Sequence, residues 1–276
     1  MPTVEWEDFS LIVLPDTQLE VQNFPEVFMS QVDWIIANKE KLNIKTVVHV
    51  GDQVNIAEDE KQWKTYNEGI KKLDAQNMPT LLSLGNHDHP STFYDKYFPI
   101  SRYNQQPWWG GQMGKDTENK YTLLTIAWKD YIFISLDFCP SKEEIKWGNE
   151  ILDEYPERKA LLATHAYLDK NAWRNPHVCT DTNYIWNDFV KLHKNLQLVV
   201  AGHVHAENMR TDKNIAGNTV YQMLADFQEE DRGGNGWLRI LTFSPKNNRI
   251  SVSTYSPSLN KFQEDTDSQF QLEYNF

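Results

Sequence analysis

The chain has 276 residues, of which 40% are hydrophobic and 24% charged, with a formal net charge of −12. That apolar content excludes disorder as the default reading, and the length allows a large buried core. The acidic balance weighs against a protein that grips duplex nucleic acid, because phosphate contacts need a basic face.

Neither Met1–Ser10 nor any later stretch carries the long uncharged apolar run of a signal peptide or membrane span, so a soluble chain without membrane contact is expected. Its compartment stays open, since a secreted chain that had shed its leader reads the same. Two cysteines, Cys139 and Cys179, are too few for a disulfide framework and lack zinc-knuckle spacing. They read as small buried hydrophobes. No repeat, low-complexity tract or Pro/Gly/Ser-rich linker divides the chain, so residues 1–276 read as one domain.

In chain order, Leu11–Leu14 reads as a buried strand and Glu26–Lys39 as a helix whose stripe is Val27, Met29, Val32, Ile35 and Ile36. Thr46–Val50 is a strand, Glu58–Ala75 a helix and Thr80–Leu84 a strand, an alternation that implies βαβ units. Tyr121–Trp128 and Tyr131–Leu136 are separated only by Lys129-Asp130, which predicts a tight hairpin and a mixed sheet. Ser141–Glu154 reads as a helix with a capping box between Ser141 and Glu144. Strand Leu161–Ala163, helix Asn183–His193 and strand Leu196–Ala201 restore the alternation. Thr219–Leu224, Trp237–Phe243 and Ile250–Tyr255 then follow as strands without a helix. The expected fold is α/β, a four-layer sandwich of two mixed β-sheets flanked by helices.

Five short motifs follow apolar, β-branched runs: Asp16-Thr17-Gln18, Gly51-Asp52-Gln53-Val54, Gly85-Asn86-His87-Asp88, Thr164-His165 and Gly202-His203-Val204-His205. In an open α/β sheet, the loops leaving the carboxyl ends of the strands converge on one edge, where ligands bind. Each motif alone is weak, and a lone strand-end histidine is usually a satisfied structural residue. Together they offer two carboxylates, an amide and three imidazoles for two divalent cations, with His87 left over as an acid. Burying so many ionisable groups without a metal is costly.

The ordered set resembles the calcineurin-like metallophosphoesterase superfamily, whose usual pattern is DxH, GDxx, GNH[DE], a lone His and GHxH. The resemblance spans Asp16 to His205 and implies a metallo-dependent phosphatase-like fold. It implies that Asp16 and His205 bind one metal, Asp52 bridges both, and Asn86, His165 and His203 bind the second. His87 would protonate the leaving group while a bridging hydroxide attacks in line, and Asp88 would orient the His87 imidazole, or cap a helix. Gln18 departs from the pattern where most members carry a histidine, and Leu14-Pro15-Asp16-Thr17-Gln18 is similar to one bacterial branch. Its harder amide oxygen shifts the expected metal toward Mn²⁺, with Zn²⁺, Fe, Ni, Mg²⁺ and Ca²⁺ also compatible. Asn55 stands where purple acid phosphatases place a tyrosinate, which weighs against a tyrosine-bound ferric site.

The substrate is less legible. Arg102–Gly114 reads as a long glycine-punctuated loop whose Tyr103, Trp108 and Trp109 either stack on a substrate or cover the core edge. Trp173–His177 is a second candidate wall, and Arg174, Arg210 and Arg232 are candidate phosphate contacts. His49 reads as packed or supporting, His89 as supporting, and His177 and His193 as without a role. Gly233–Gly236 precedes a strand and reads as a turn. The expected partner is a small phosphoester, monoester or diester, and the oligomeric state is left open. The alternatives are a nuclease of the same superfamily, disfavoured by charge, and a non-catalytic metal-containing binding module, which would be expected to have lost ligands.

Overall fold

The computed structural model describes residues 7–90, 92–115, 117–179 and 181–276. Most of the Met1–Ser10 stretch read for a leader therefore lies outside the described residues. In chain order come β1 (Phe9–Leu14), α1 (Gln18–Asn23), α2 (Pro25–Asn38), β2 (Ile44–His49), α3 (Glu60–Asp74), β3 (Thr80–Leu82) and α4 (Thr92–Tyr97). Next are β4 (Trp109–Gln112), β5 (Lys120–Ile126), β6 (Lys129–Ser135), α5 (Lys142–Glu154), β7 (Lys159–Ala166), α6 (Asn183–Asp188) and β8 (Leu196–Gly202). The chain ends with β9 (Ala206–Lys213), β10 (Thr219–Asp226), β11 (Leu238–Ser244), β12 (Arg249–Ser256), β13 (Lys261–Phe262) and β14 (Gln269–Glu273).

The strands form two mixed seven-stranded sheets. The first has the order β13-β12-β11-β1-β2-β3 with β14 also on β12, and the second is β4-β5-β6-β7-β8-β10-β9. Strands β1, β2 and β3 run parallel, as do β6, β7, β8 and β10.

The period of two along each strand explains the layering. Leu11 and Val13 join Val48, Phe133, Leu161, Ala163 and Val200 in a core between the sheets. Ile12 and Leu14 face the other way, onto Phe28, Val32, Ile35, Trp63 and Ile70 of α2 and α3. In the second sheet Ile132, Ile134, Leu162 and Val199 turn outward to Ile145 and Leu152 of α5 and Ile185 of α6. Both faces of the parallel strands are covered, which is why they read as continuous apolar runs. Helix, sheet, sheet and helix are the four layers expected from sequence.

Several local readings are corrected. The hairpin turn is Ala127-Trp128, both left-handed at φ 49° and 64°, so Lys129 and Asp130 begin β6 instead. Two consecutive positive φ values give the turn whose twist suits a hairpin, without the Asn-Gly signal that reveals it in a sequence. The helix expected at Asn183–His193 stops at Asp188, and Val190–Leu192 continue as a 3₁₀ turn. β9 was not anticipated, because this polar edge strand has no buried run. Cys139 and Cys179 are disulfide-bonded across a separation of 40 residues, tying the loop after β6 to the loop between β7 and α6. Pairing across such a distance leaves no spacing signature. The capping box holds: Glu144 N donates to Ser141 Oγ, and Ser141 N to the Glu144 carboxylate.

Candidate metal centre

The carboxyl ends of parallel strands from both sheets meet at one edge. Asp16 follows β1, Asp52 follows β2, Asn86 follows β3, and His203 follows β8. His165 lies inside β7 rather than after it, at an irregularity in the β7–β8 register between Ala163 and Ala166 that re-aims the chain. Asp52 and His203 have left-handed backbones, φ 52° and 72°, an uncommon conformation that clusters at functional sites. Two glycines make room for the carboxylates. A Cβ on Gly85 would lie 2.1 Å from Asp52 Oδ1, and one on Gly202 would lie 2.0 Å from Asp16 Oδ1.

Three candidate ligating atoms converge on His165. Its Nε2 lies 3.1 Å from Asn86 Oδ1, 3.3 Å from Asp52 Oδ2 and 3.2 Å from His203 Nδ1. His165 Nδ1 donates to the Val50 carbonyl at 3.0 Å, which in a neutral ring leaves Nε2 as a bare lone pair. That lone pair then faces a carboxylate, an amide oxygen and a second imidazole. A carboxylate and an amide oxygen this close to that lone pair call for positive charge at the centre, supplied by a proton or a cation. Burial lowers the His165 pKa, and the Asp52 carboxylate more than offsets this to hold the ring above its ordinary value. His203 is pulled down to about 4, by burial and then by His165.

Asp16 sits beside this group, accepting from the His203 main-chain N–H at 3.0 Å through Oδ2. Its Oδ1 and the Gln18 Oε1 are buried without a hydrogen-bond partner. Asp16, Asp52, Asp88 and Asp226 are all buried at this edge, and among the described residues none forms an ion pair with lysine or arginine. Asp16 is pushed well above the carboxylate range, first by burial and then by Asp226 and Asp52. Burial likewise pushes Asp88 and Asp226 up to about 7. Orphaned hard oxygens and uncompensated carboxylates are what divalent cations neutralise, so the donor set fits a metal centre.

The model of the calcineurin-like phosphoesterase family matches residues 9–207. The chain belongs to that family. It is also 34% identical over 272 residues to the uncharacterized protein YvnB of Bacillus subtilis (strain 168), which covers 94% of this chain. The chain spans only 21% of that relative's length. A dimetal phosphatase from Danio rerio superposes with a TM-score of 0.66 at 11% identity, covering 97% of this chain and 99% of its own. Purple acid phosphatase PPD1 from yellow lupin gives 0.62 at 14% identity, covering 100% of this chain and 55% of its own. At these identities the two structures attest the fold, the metallo-dependent phosphatase arrangement of two sheets between helices.

Other residues of this family member take places that the sequence did not fix. His205 lies apart from the cluster on His165, with Nδ1 3.3 Å from Glu229 Oε2. Asp88 does not orient His87; its carboxylate accepts from the main-chain N–H groups of Gln53, Val54 and Gly85, tying two motif loops together. His87 instead sets Nδ1 2.8 Å from the Asn55 carbonyl, and its own N–H donates to Asp52 Oδ1. His49 is a packed residue: Nδ1 accepts from Gly51 N, Nε2 faces Thr17 Oγ1, and burial pulls it down to about 3. His89 lies between Asp137 and Glu118 at 3.0 and 3.6 Å.

The substrate candidates fare less well. Arg174 is buried against Asp212, Gln222, Tyr167 and the Trp186 ring. Arg210 also pairs with Asp212, and Arg232 pairs with Glu26. Each guanidinium is paired with a carboxylate, and Arg174 is buried in its pair, whereas Arg210 and Arg232 are partly exposed. Trp108 is buried in the core under α3, and Trp109 stacks on Tyr103, so these rings cover the core edge. Phe138 was missed, although its ring centroid lies 5.8 Å from that of His165 and 6.0 Å from that of His203. Its only sequence signal is its place just after β6.

Proposed function

We propose that this chain is a metal-dependent phosphoester hydrolase with a dinuclear centre. The convergence of Asp52, Asn86 and His203 on the bare Nε2 of His165 carries the proposal. Asp16, Gln18, Asp52 and His205 would hold one cation, and Asp52, Asn86, His165 and His203 the other. When bound, two such cations activate water and neutralise the phosphoryl oxygens. The Val50 carbonyl keeps His165 in the ligating tautomer, and the His87 N–H and His203 N–H fix the Asp52 and Asp16 carboxylates. His87 then delivers a proton from Nε2 to the departing oxygen while Asn55 stabilises the charged ring through Nδ1.

Within this reading a phosphodiester is the favoured substrate. A monoester dianion needs more positive charge than a diester monoanion; Arg174 is buried on Asp212, and Arg210 and Arg232 stand in ion pairs with Asp212 and Glu26. Mn²⁺ is the favoured metal because Gln18 contributes a hard oxygen. The test compares bis-p-nitrophenyl phosphate with p-nitrophenyl phosphate on chelator-stripped and Mn²⁺-reloaded protein. Metal-restored hydrolysis with the diester faster is the expected result. Hydrolysis untouched by chelation would overturn the metal reading, and a faster monoester would overturn the diester one.

A further inference from the structure

Asp226 is the last residue of β10, a strand parallel to β8 and antiparallel to β9. Leu224 pairs with Ala201 and Asp226 with Ala206, so Asp226 sits level with the Gly202–His205 turn on the same sheet edge as the other carboxylates. It is 1% exposed. Oδ1 accepts from Gln228 N at 2.9 Å, whereas Oδ2 is buried without a hydrogen-bond partner. Asp16 Oδ1 and Gln18 Oε1 share that condition, as do Gln53 Oε1 and Thr164 Oγ1 of the motif loops. Leaving a buried carboxylate oxygen unpaired is expensive, and it is rarely tolerated without an ion to receive it.

We propose that Asp226 is a further oxygen ligand of the cation held by Asp16, giving that half of the centre an oxygen-rich donor set. The inference rests on the dinuclear reading above. Three carboxylates, Asp16, Asp52 and Asp226, and the Gln18 amide select a hard cation of the Mn²⁺, Mg²⁺ or Ca²⁺ class over Zn²⁺. Glu229, three residues on, lies with Oε2 3.3 Å from His205 Nδ1. The β10–β11 connection thus supplies one wall of the Asp16 site from outside the motif set. The signal was present in the sequence as an aspartate ending an apolar run, Met223-Leu224-Ala225-Asp226, though no motif marks it.

The experiment titrates the metal-free protein with Mn²⁺ by calorimetry, in wild type, Asp226→Asn and Asp226→Ala. Wild type takes two equivalents, and each variant keeps one at wild-type affinity while the other weakens 10-fold or more. The melting temperature supplies a second reading. Removing one charge beside Asp16 raises the melting temperature of the metal-free Asp226→Asn protein, while its Mn²⁺-induced rise shrinks. Two equivalents at wild-type affinity in both variants overturn the inference and leave the dinuclear reading standing. Fewer than two equivalents in wild type overturn both.

Discussion

His87 Nδ1 lies 2.8 Å from the main-chain carbonyl of Asn55, two residues beyond the Gln53 whose amide is held by Asp88. The contact fixes the ring on the loop that carries Asp52 and leaves Nε2 for substrate. His87→Ala is therefore expected to lower turnover by about 10²–10⁴-fold, the usual range for a lost general acid. Metal content, read by elemental analysis, stays at the wild-type value. Loss of metal in this variant would make His87 a ligand instead.

Gly202→Ala tests how closely the Asp16 carboxylate approaches the chain. The added methyl would lie 2.0 Å from Asp16 Oδ1 and 2.8 Å from Val50 Cγ2, both fixed groups. The expected cost is about 1–3 kcal/mol of stability together with a weakened Asp16 cation site. Thermal melts with and without Mn²⁺ measure both. An unchanged Mn²⁺-induced rise in melting temperature would show that Asp16 has room to move aside.

The His89 imidazole gives a pH dependence. Hydrogen bonding to Asp137, opposed by burial and aided by the charges of Asp137, Glu118 and Asp88, pushes it from 6.5 up to about 9. A raised folded-state value means that the protonated ring stabilises the fold fully below pH 6.5, and this contribution fades between pH 6.5 and 9. The group is partly solvated, so the effect is on the order of 1–2 kcal/mol. The melting-temperature difference between wild type and His89→Asn, in chelator, should shrink from pH 6 to pH 9. A constant difference across that range would show that folding does not raise the affinity of His89 for its proton.

The Cys139–Cys179 bridge closes a loop of 40 residues and anchors the segment just after Phe138. Chain-entropy arguments give such a loop about 2–4 kcal/mol. The double variant Cys139→Ser/Cys179→Ser should melt several degrees lower than wild type without losing metal. Equal melting temperatures would mean that the loop is held equally well by its other contacts.

The sequence disclosed the fold wherever burial is two-sided, as in Leu11–Leu14 and Val47–Val50, because strands covered on both faces read as unbroken apolar runs. The polar residues that come together around His165 were legible because each follows such a run. What stayed hidden depends on contacts between distant segments. Arg174 finds Asp212 only after β9 and β10 pair, and Cys139 finds Cys179 only after the second sheet forms. Asp88 serves the main chain of another loop rather than its neighbour His87, which spacing within the GNHD motif does not reveal. Asp226 ends an apolar run that no motif marks.

The most direct measurement of the central claim is hydrolysis of bis-p-nitrophenyl phosphate as a function of bound Mn²⁺ per chain, from metal-free protein upward. A centre built on both sides of Asp52 predicts little hydrolysis at one equivalent and full rate at two. Full rate with one equivalent bound, or with none, would contradict it.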